Sequence, residues 1–372
     1  MSKPAYLILE NGRIFEGKYW GAIRDTFGEI VFSTAMTGYL ETLTDNSYFG
    51  QIVLQTFPLI GNYGIIPPDF ESLSPEAKPN GYIVKSWCEE PSNFRSEGNL
   101  DTFLENRGIP GIYGIDTREV AKIIRENGVM NAKITGDRDN IDFDEIKNYR
   151  TVDQIRKVSR GEIKEFKGAE SRYRVVLLDF GLKESIKQRL LALGCDVWAA
   201  PYDTDAEKIK NMEPDGIVLS DGPGDPEENP GVINNLKEIL DLNIPAFGIC
   251  LGHQLLALAN GFRTEKLKFG HRGANQPVKS LSGSTRPGVY ITNQNHGYAV
   301  VNESIDKNIA ELSFENVNDK TCEGIDYIDR PVTSVQFHPD DCLSPHGTGF
   351  IYHKFIGMMS GNRKNSKQGG NN

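Results

Sequence analysis

The chain has 372 residues, room for roughly two domains at about 150 residues each, so one small binding module is a poor reading. Lys and Arg number 41 against 51 Asp and Glu, a formal net charge of −10, and no basic block interrupts it; the electrostatic footprint of a nucleic-acid or anionic-membrane binder is missing. Hydrophobic residues at 38% and aromatics at 9% are enough for substantial cores, and no apolar run approaches the ~18 residues that cross a bilayer.

The opening residues, MSKPAYLILENG, hold only a short apolar stretch before charge returns, which gives the expectation of a cytoplasmic protein. Strand patterns follow in AYLILENG and EIVFSTAM, separated by many Gly and Pro turns, with one clear late helix in DTREVAKIIRENG. Residues 1–150 therefore read as a separate, β-rich α/β domain. The stretch from Gly136 to Arg174 is dense in charge and poor in apolar runs, the texture of a linker with room for a short surface helix, placed at 151–171 with the boundary near Ala169.

From about residue 172 to 360 the texture changes to short apolar runs each followed by a helical pattern, as in a buried parallel sheet with crossover helices. RVVLLDFG leads to KESIKQRLLAL, with Ile186, Leu190 and Leu193 at helical spacing and Gly194 where a left-handed cap is wanted. CDVWAAP, a helix over about Asp205 to Met212, and DGIVLS come next, then the loop DGPGDPEENPG. A helix from about Val232 to Leu242 precedes IPAFGIC, which turns at once into LGHQLLALANG, capped by Gly261. In such open sheets ligands sit outside the carboxyl ends of the strands, where both DGPGDP and GICLG fall. Residues 361–372, within GNRKNSKQGGNN, read as a disordered tail.

The cysteines, Cys88, Cys195, Cys250, Cys322 and Cys342, are odd in number and form no CxxC pair, which argues against a disulfide framework or a zinc knuckle. Cys250 stands apart, because Gly248-Ile-Cys250-Leu-Gly252 joins an apolar strand to a helix in the pattern of a nucleophile elbow. The helix would point its amino terminus at the sulfur, where aligned amides favour a thiolate, and the Leu251 amide could bind an oxyanion. The same spacing also fits a buried cysteine whose glycines only ease packing.

A cysteine nucleophile needs a base, usually histidine, and the histidine an orienting carboxylate. Of His253, His271, His296, His338, His346 and His353, the first is one turn into the helix after Cys250 and is carried away from the elbow. His338 is the better candidate: VTSVQFHPDD puts it at the end of an apolar strand, Pro339 keeps it extended, and Asp340 shares its face at i+2. A surface histidine beside a turn acid has the same signature. In Asp221 to Pro226 two glycines let backbone N–H groups approach a substrate, but no P-loop or dinucleotide fingerprint occurs, so the chain shows no phosphate cradle.

Taken together, SDGPGDP, GICLGHQ and QFHPDD, in this order and spacing, resemble a class I, triad-type glutamine amidotransferase domain. KFGHRGANQPV and ITNQNHGYAV between them, with TGYLETLTDNSYFGQIVLQTFPLIGNYG and GIYGIDTREV in the first domain, narrow the resemblance to the small, glutamine-hydrolysing chain of carbamoyl-phosphate synthase, from Tyr6 to about Met359. The resemblance implies an open, mostly parallel-sheet amidotransferase fold after a small-chain domain. It implies attack by Cys250 on the side-chain amide of L-glutamine with His338 moving protons, a glutamyl thioester, and ammonia passed to a separate large chain. That chain would combine it with bicarbonate and ATP into carbamoyl phosphate for arginine and pyrimidine synthesis. No cofactor is expected in this chain; ATP and Mg or K ions would belong to the large chain, the partner of a heterodimer.

Carried over by position, the glutamine-binding residues are Ser47, Gly222, Gly224, Leu251, Gln254, Asn295, Gly297 and Tyr298, with Cys250, His338 and Asp340 catalytic. If Ser47 touches the ligand, the site lies near a domain interface, a common place for pockets. Three departures stand out. The usual HPE is His338-Pro339-Asp340 here, one methylene shorter; the usual Pro-Gly-Pro is CLSP, Cys342 to Pro345; and SNGPGDP is SDGPGDP, which adds the charge of Asp221. They raise a second reading, a structural or regulatory partner that has lost efficient hydrolysis.

Overall fold

A computed structural model of the chain describes residues 3–72, 74, 78–281, 286–339 and 347–369, with side chains described as far as 363. Its contacts divide it into two units, Met1–Val158 and Ser159–Asn372.

The first unit is a closed barrel of β1 (Pro4–Leu9), β2 (Ile14–Gly21), β3 (Thr26–Ser33), β4 (Gln51–Gln55), β5 (Gly81–Val84), β6 (Pro110–Tyr113) and β7 (Met130–Thr135), in the order β1-β2-β6-β5-β4-β3-β7. Strands β3, β4, β5 and β6 run parallel, and the remaining pairings are antiparallel. Closure leaves no strand edge to pair with another chain, and the short β-branched runs fill the interior. The helix read from DTREVAKIIRENG is α1 (Thr117–Asn127): Asp116 caps it by accepting from the N–H groups of Arg118 and Glu119, and Val120 and Ile124 are buried.

The second unit is a ten-stranded sheet of β8 (Lys164–Phe166), β9 (Tyr173–Asp179), β10 (Cys195–Pro201), β11 (Gly216–Leu219), β12 (Ala246–Ile249), β13 (Thr264–Ser280), β14 (Val289–Val300), β15 (Ala310–Asn316), β16 (Cys322–Tyr327) and β17 (Val332–Val335), in the order β8-β10-β9-β11-β12-β17-β16-β15-β13-β14. Strands β10, β9, β11, β12 and β17 are mutually parallel, and the last three of these are buried at every position, the cause of their unbroken apolar runs. The other half, β16 to β14, is antiparallel. Crossover helices are α2 (Glu184–Ala192), α3 (Ala206–Asn211), α4 (Pro230–Asp241) and α5 (Leu251–Ala259), and α6 (Phe350–Gly369) follows the last strand. Helix α2 buries Ile186 and Leu190 and stops at Gly194, whose φ of 82° is the left-handed cap.

Two stretches differ from the sequence reading. The charged segment read as a linker holds, besides the short helix expected there, Gln154–Val158, an unexpected strand: β8, which pairs antiparallel with β10 at the sheet edge. Its anchors are long-range: Asp196 accepts from the Gly168 N–H and the Ser171 hydroxyl, and the Lys187 ammonium sits 4.1 Å from the Phe166 ring centre. Helix α6 continues through Gly369, into the stretch read as a disordered tail, because Tyr352, Phe355 and Met359 bury against the sheet around Phe247 and Gly216 and Arg363 pairs with Asp215. Among the described residues no helix is long and apolar enough to cross a membrane.

Candidate active site

Strand β12 ends at Ile249 and helix α5 begins at Leu251, so the whole reversal falls on Cys250, at φ 52° and ψ −106°. Residues with a Cβ avoid that region, at a cost on the order of 1–3 kcal/mol, and such strain collects at functional sites. The glycines on either side are required by close approach. A Cβ on Gly248 would lie 2.6 Å from Leu256 Cδ1, and one on Gly252 would lie 2.4 Å from the Leu219 carbonyl oxygen, so helix α5 packs hard on β11 and β12. Hydrogen bonds hold the turn: Cys250 N–H donates to Val335 O at 2.8 Å, and Gly252 N–H to Ser220 O at 3.1 Å. The thiol is buried, 3.7 Å from Asn295 O and 3.6 Å from Gln336 Nε2.

His338 follows β17, the parallel neighbour of β12, whose Val335 pairs with Ile249. Its N–H donates to Asn293 O at 2.9 Å, tying it to β14. The ring is fully buried, and neither ring nitrogen hydrogen-bonds a described residue. Burial, helped by the positive charge of Lys183, holds its pKa well below the usual histidine value, so the ring is neutral and able to accept a proton at neutral pH. Among the described residues, a carboxylate of Asp221 faces the ring, its Oδ2 4.0 Å from Nδ1, both side chains being inaccessible to solvent. Asp340, with Cys342 and Pro345 of the CLSP segment and His346, lies outside the described residues.

Of the other residues carried over, Gly222 and Gly224 lie in the loop after β11. A Cβ on Gly222 would meet Phe180 O at 2.2 Å and Leu251 Cδ2 at 2.9 Å, which brings the loop against the elbow. Gln254, on α5, donates through Nε2 to Tyr298 O at 2.7 Å and to Gln336 Oε1 at 2.9 Å. Asn295, Gly297 and Tyr298 are consecutive or nearly so on β14, beside His338's partner Asn293. Ser47 belongs to the first unit, in a buried single turn over Asn46–Tyr48 with its N–H on Asp45 Oδ1 at 2.8 Å. His253 packs inward on α5 against Ser334 Oγ at 2.8 Å and Cys322, and burial lowers its pKa to about 3. Gln336 opens the QFHPDD motif, which by itself assigns it no role, although a signal for one exists: it precedes His338 by two in an extended run and shares its face.

Behind this wall His271, His296 and Glu323 bring their ligand atoms within 4.8 Å of one another. Their ring nitrogens are already engaged: His271 with Asp319 Oδ2 at 2.7 Å and Glu323 Oε1 at 3.3 Å, His296 with Tyr298 O at 2.8 Å and Gln294 Oε1 at 3.0 Å. Burial would lower the His271 pKa, but the hydrogen bonds and charges of Asp319 and Glu323 outweigh it and lift it to about 9, while burial and the His271 charge keep His296 neutral. The cluster is a charged hydrogen-bond network that anchors β14. Cys195, also buried, has its thiol pKa pushed up to about 12.

Residues 7–134 match the family Carbamoyl-phosphate synthase small chain, CPSase domain, and residues 176–358 match Glutamine amidotransferase class-I. A carbamoyl phosphate synthase small chain of Fusobacterium nucleatum is 46% identical over 96% of this chain and 99% of its own length. The chain belongs to the carbamoyl-phosphate synthase small-chain family. Other members are as near: the small chain of Streptococcus agalactiae is 46% identical over 95% of this chain and 97% of its own, and that of Bacillus caldolyticus 44% over 95% and 96%. A solved structure, a putative GMP synthase protein from Thermoplasma acidophilum, aligns over 52% of this chain and 97% of its own at 25% identity with a TM-score of 0.46. As a small chain with a class I amidotransferase domain, the protein carries at the carboxyl ends of β11, β12 and β17 a buried thiol, a neutral imidazole and a glycine loop.

Proposed function

We propose that this small chain hydrolyses L-glutamine through Cys250 and delivers ammonia to a carbamoyl-phosphate synthase large chain. The observation that carries the reading is the strained, buried Cys250 at the start of α5, set beside the strand that leads to a buried neutral His338. His338 takes the Sγ proton, and the thiolate attacks the side-chain carbonyl carbon of glutamine. The developing oxyanion is met by backbone N–H groups at the helix start, Leu251 foremost. The imidazolium returns the proton to the departing nitrogen, ammonia leaves, and a glutamyl thioester stays on Sγ. Water, deprotonated by His338, then releases glutamate and restores the thiol.

Gln254 supports a binding role, because its amide hydrogens are engaged by Tyr298 O and Gln336 Oε1, and its carbonyl oxygen is the acceptor it can offer an α-ammonium group. Backbone groups of Gly222, Gly224, Gly297 and Tyr298, with Asn295, complete the proposed glutamine set within the second unit. ATP, Mg and K ions are assigned to the large chain, and carbamoyl phosphate made from the ammonia with bicarbonate would feed arginine and pyrimidine synthesis in the cytoplasm.

The test is glutamate release from glutamine by the purified chain, alone and with the large chain, for wild type and Cys250→Ser. The variant should lose hydrolysis, while carbamoyl phosphate synthesis from added ammonia persists in the complex. Hydrolysis at the wild-type rate by Cys250→Ser overturns the reading.

A further inference from the structure

Among the described residues, the buried surroundings of His338 hold a carboxylate close enough to act on its ring, Asp221, and an opposing charge, Lys183. Asp221 Oδ2 lies 4.0 Å from Nδ1, with both side chains at 0% exposure, and Lys183, buried at the start of α2, acts on the same ring as a positive charge. A ring so placed forms its cation only if a negative charge offsets both the lost hydration and the lysine. Asp221 comes from the loop after β11, two strands from β17 with β12 between, so three adjacent strand ends supply acid, nucleophile and base. Four ångströms is a charge contact in which no proton need move to the carboxylate.

We infer that Asp221 is a positioning carboxylate of this small chain: facing Nδ1 of His338 at 4.0 Å, it stabilises the imidazolium that forms when Cys250 gives up its proton. The inference rests on the function proposed above. The proton travels from Sγ to the imidazole and onward to ammonia; Asp221 stays ionised throughout.

Asp221→Asn is the direct test, an isosteric change that removes the charge. In the full chain with its large chain, glutamine hydrolysis should fall about 10-fold or more in kcat with KM little changed, and the acid limb of the kcat–pH profile should move down by about one unit, the shift that a tenfold loss of imidazolium stabilisation produces. Asp221→Ser, checked with Asp221→Asn for an unchanged unfolding midpoint, should show the same displacement. An unchanged rate and limb in whichever variant folds overturns the inference, as does a lower rate with the limb unmoved, which would mark a purely structural role. Wild-type chain that releases no glutamate overturns instead the reading beneath it.

Discussion

Gln336 lies with its Nε2 3.6 Å from the Sγ of Cys250 while its Oε1 accepts from Gln254 at 2.9 Å, so a single side-chain amide ties the end of β17 to the elbow and to helix α5. An N–H donor aimed at a buried sulfur favours the thiolate, and hydrogen bonds to charged groups are worth about 1.5–3 kcal/mol. Gln336→Met, of similar volume, is expected to lower kcat/KM for glutamine hydrolysis by about 10-fold to 100-fold, since each 1.4 kcal/mol is a factor of ten. The rate of Cys250 alkylation against pH checks the cause: its midpoint should rise in the variant, and an unmoved midpoint rules the donor role out.

The backbone of Cys250 provides a second test, independent of its sulfur. At φ 52° and ψ −106° any side chain is strained and glycine is not. Alanine is normally the more stabilising of the two by about 0.5–1 kcal/mol within regular structure, through the unfolded chain's entropy. Here the order should reverse: Cys250→Gly should unfold at higher urea than Cys250→Ala, by about 1 kcal/mol in stability, with neither variant hydrolysing glutamine. If Cys250→Ala is the more stable, the strain is absent.

His271 sets an alkaline limit on stability. Its pKa rises from 6.5 in the unfolded chain to about 9 in the fold, because pairing with Asp319 and Glu323 outweighs burial. A group raised in this way contributes fully below pH 6.5, and the contribution is lost as pH climbs through about 9; a shift of this size corresponds to about 3 kcal/mol. Denaturant unfolding of wild type and His271→Asn should therefore differ most at or below neutral pH, and the gap should close by about pH 10. A gap constant across that range would show that the histidine is not charged in the fold.

Much of this protein was legible from residue order alone, for a physical reason: the signals are short-range. The alternation of apolar runs and helical periods marks β9 through α5 because buried parallel strands need apolar residues at every position and crossover helices need one apolar face. The glycines around Cys250 mark the elbow because no Cβ fits between α5 and β11. His253, read from spacing as carried away from the elbow, faces inward toward Ser334. The charged segment and the tail read differently from the fold, because composition does not reveal that β8 finds an edge on β10 or that α6 runs on from the domain through Gly369.

What only the tertiary structure decided is which side chains meet. The order β11, β12, β17 sets side by side the ends of strands far apart in the chain, and so places Asp221 by His338, Gln336 by Cys250, and the carbonyls of β14 around both Cys250 and Gln254. No local pattern encodes that adjacency, since strand order is settled by how whole faces bury against one another. The sequence determined that a cysteine would stand strained at a helix start; the sheet determined what surrounds it.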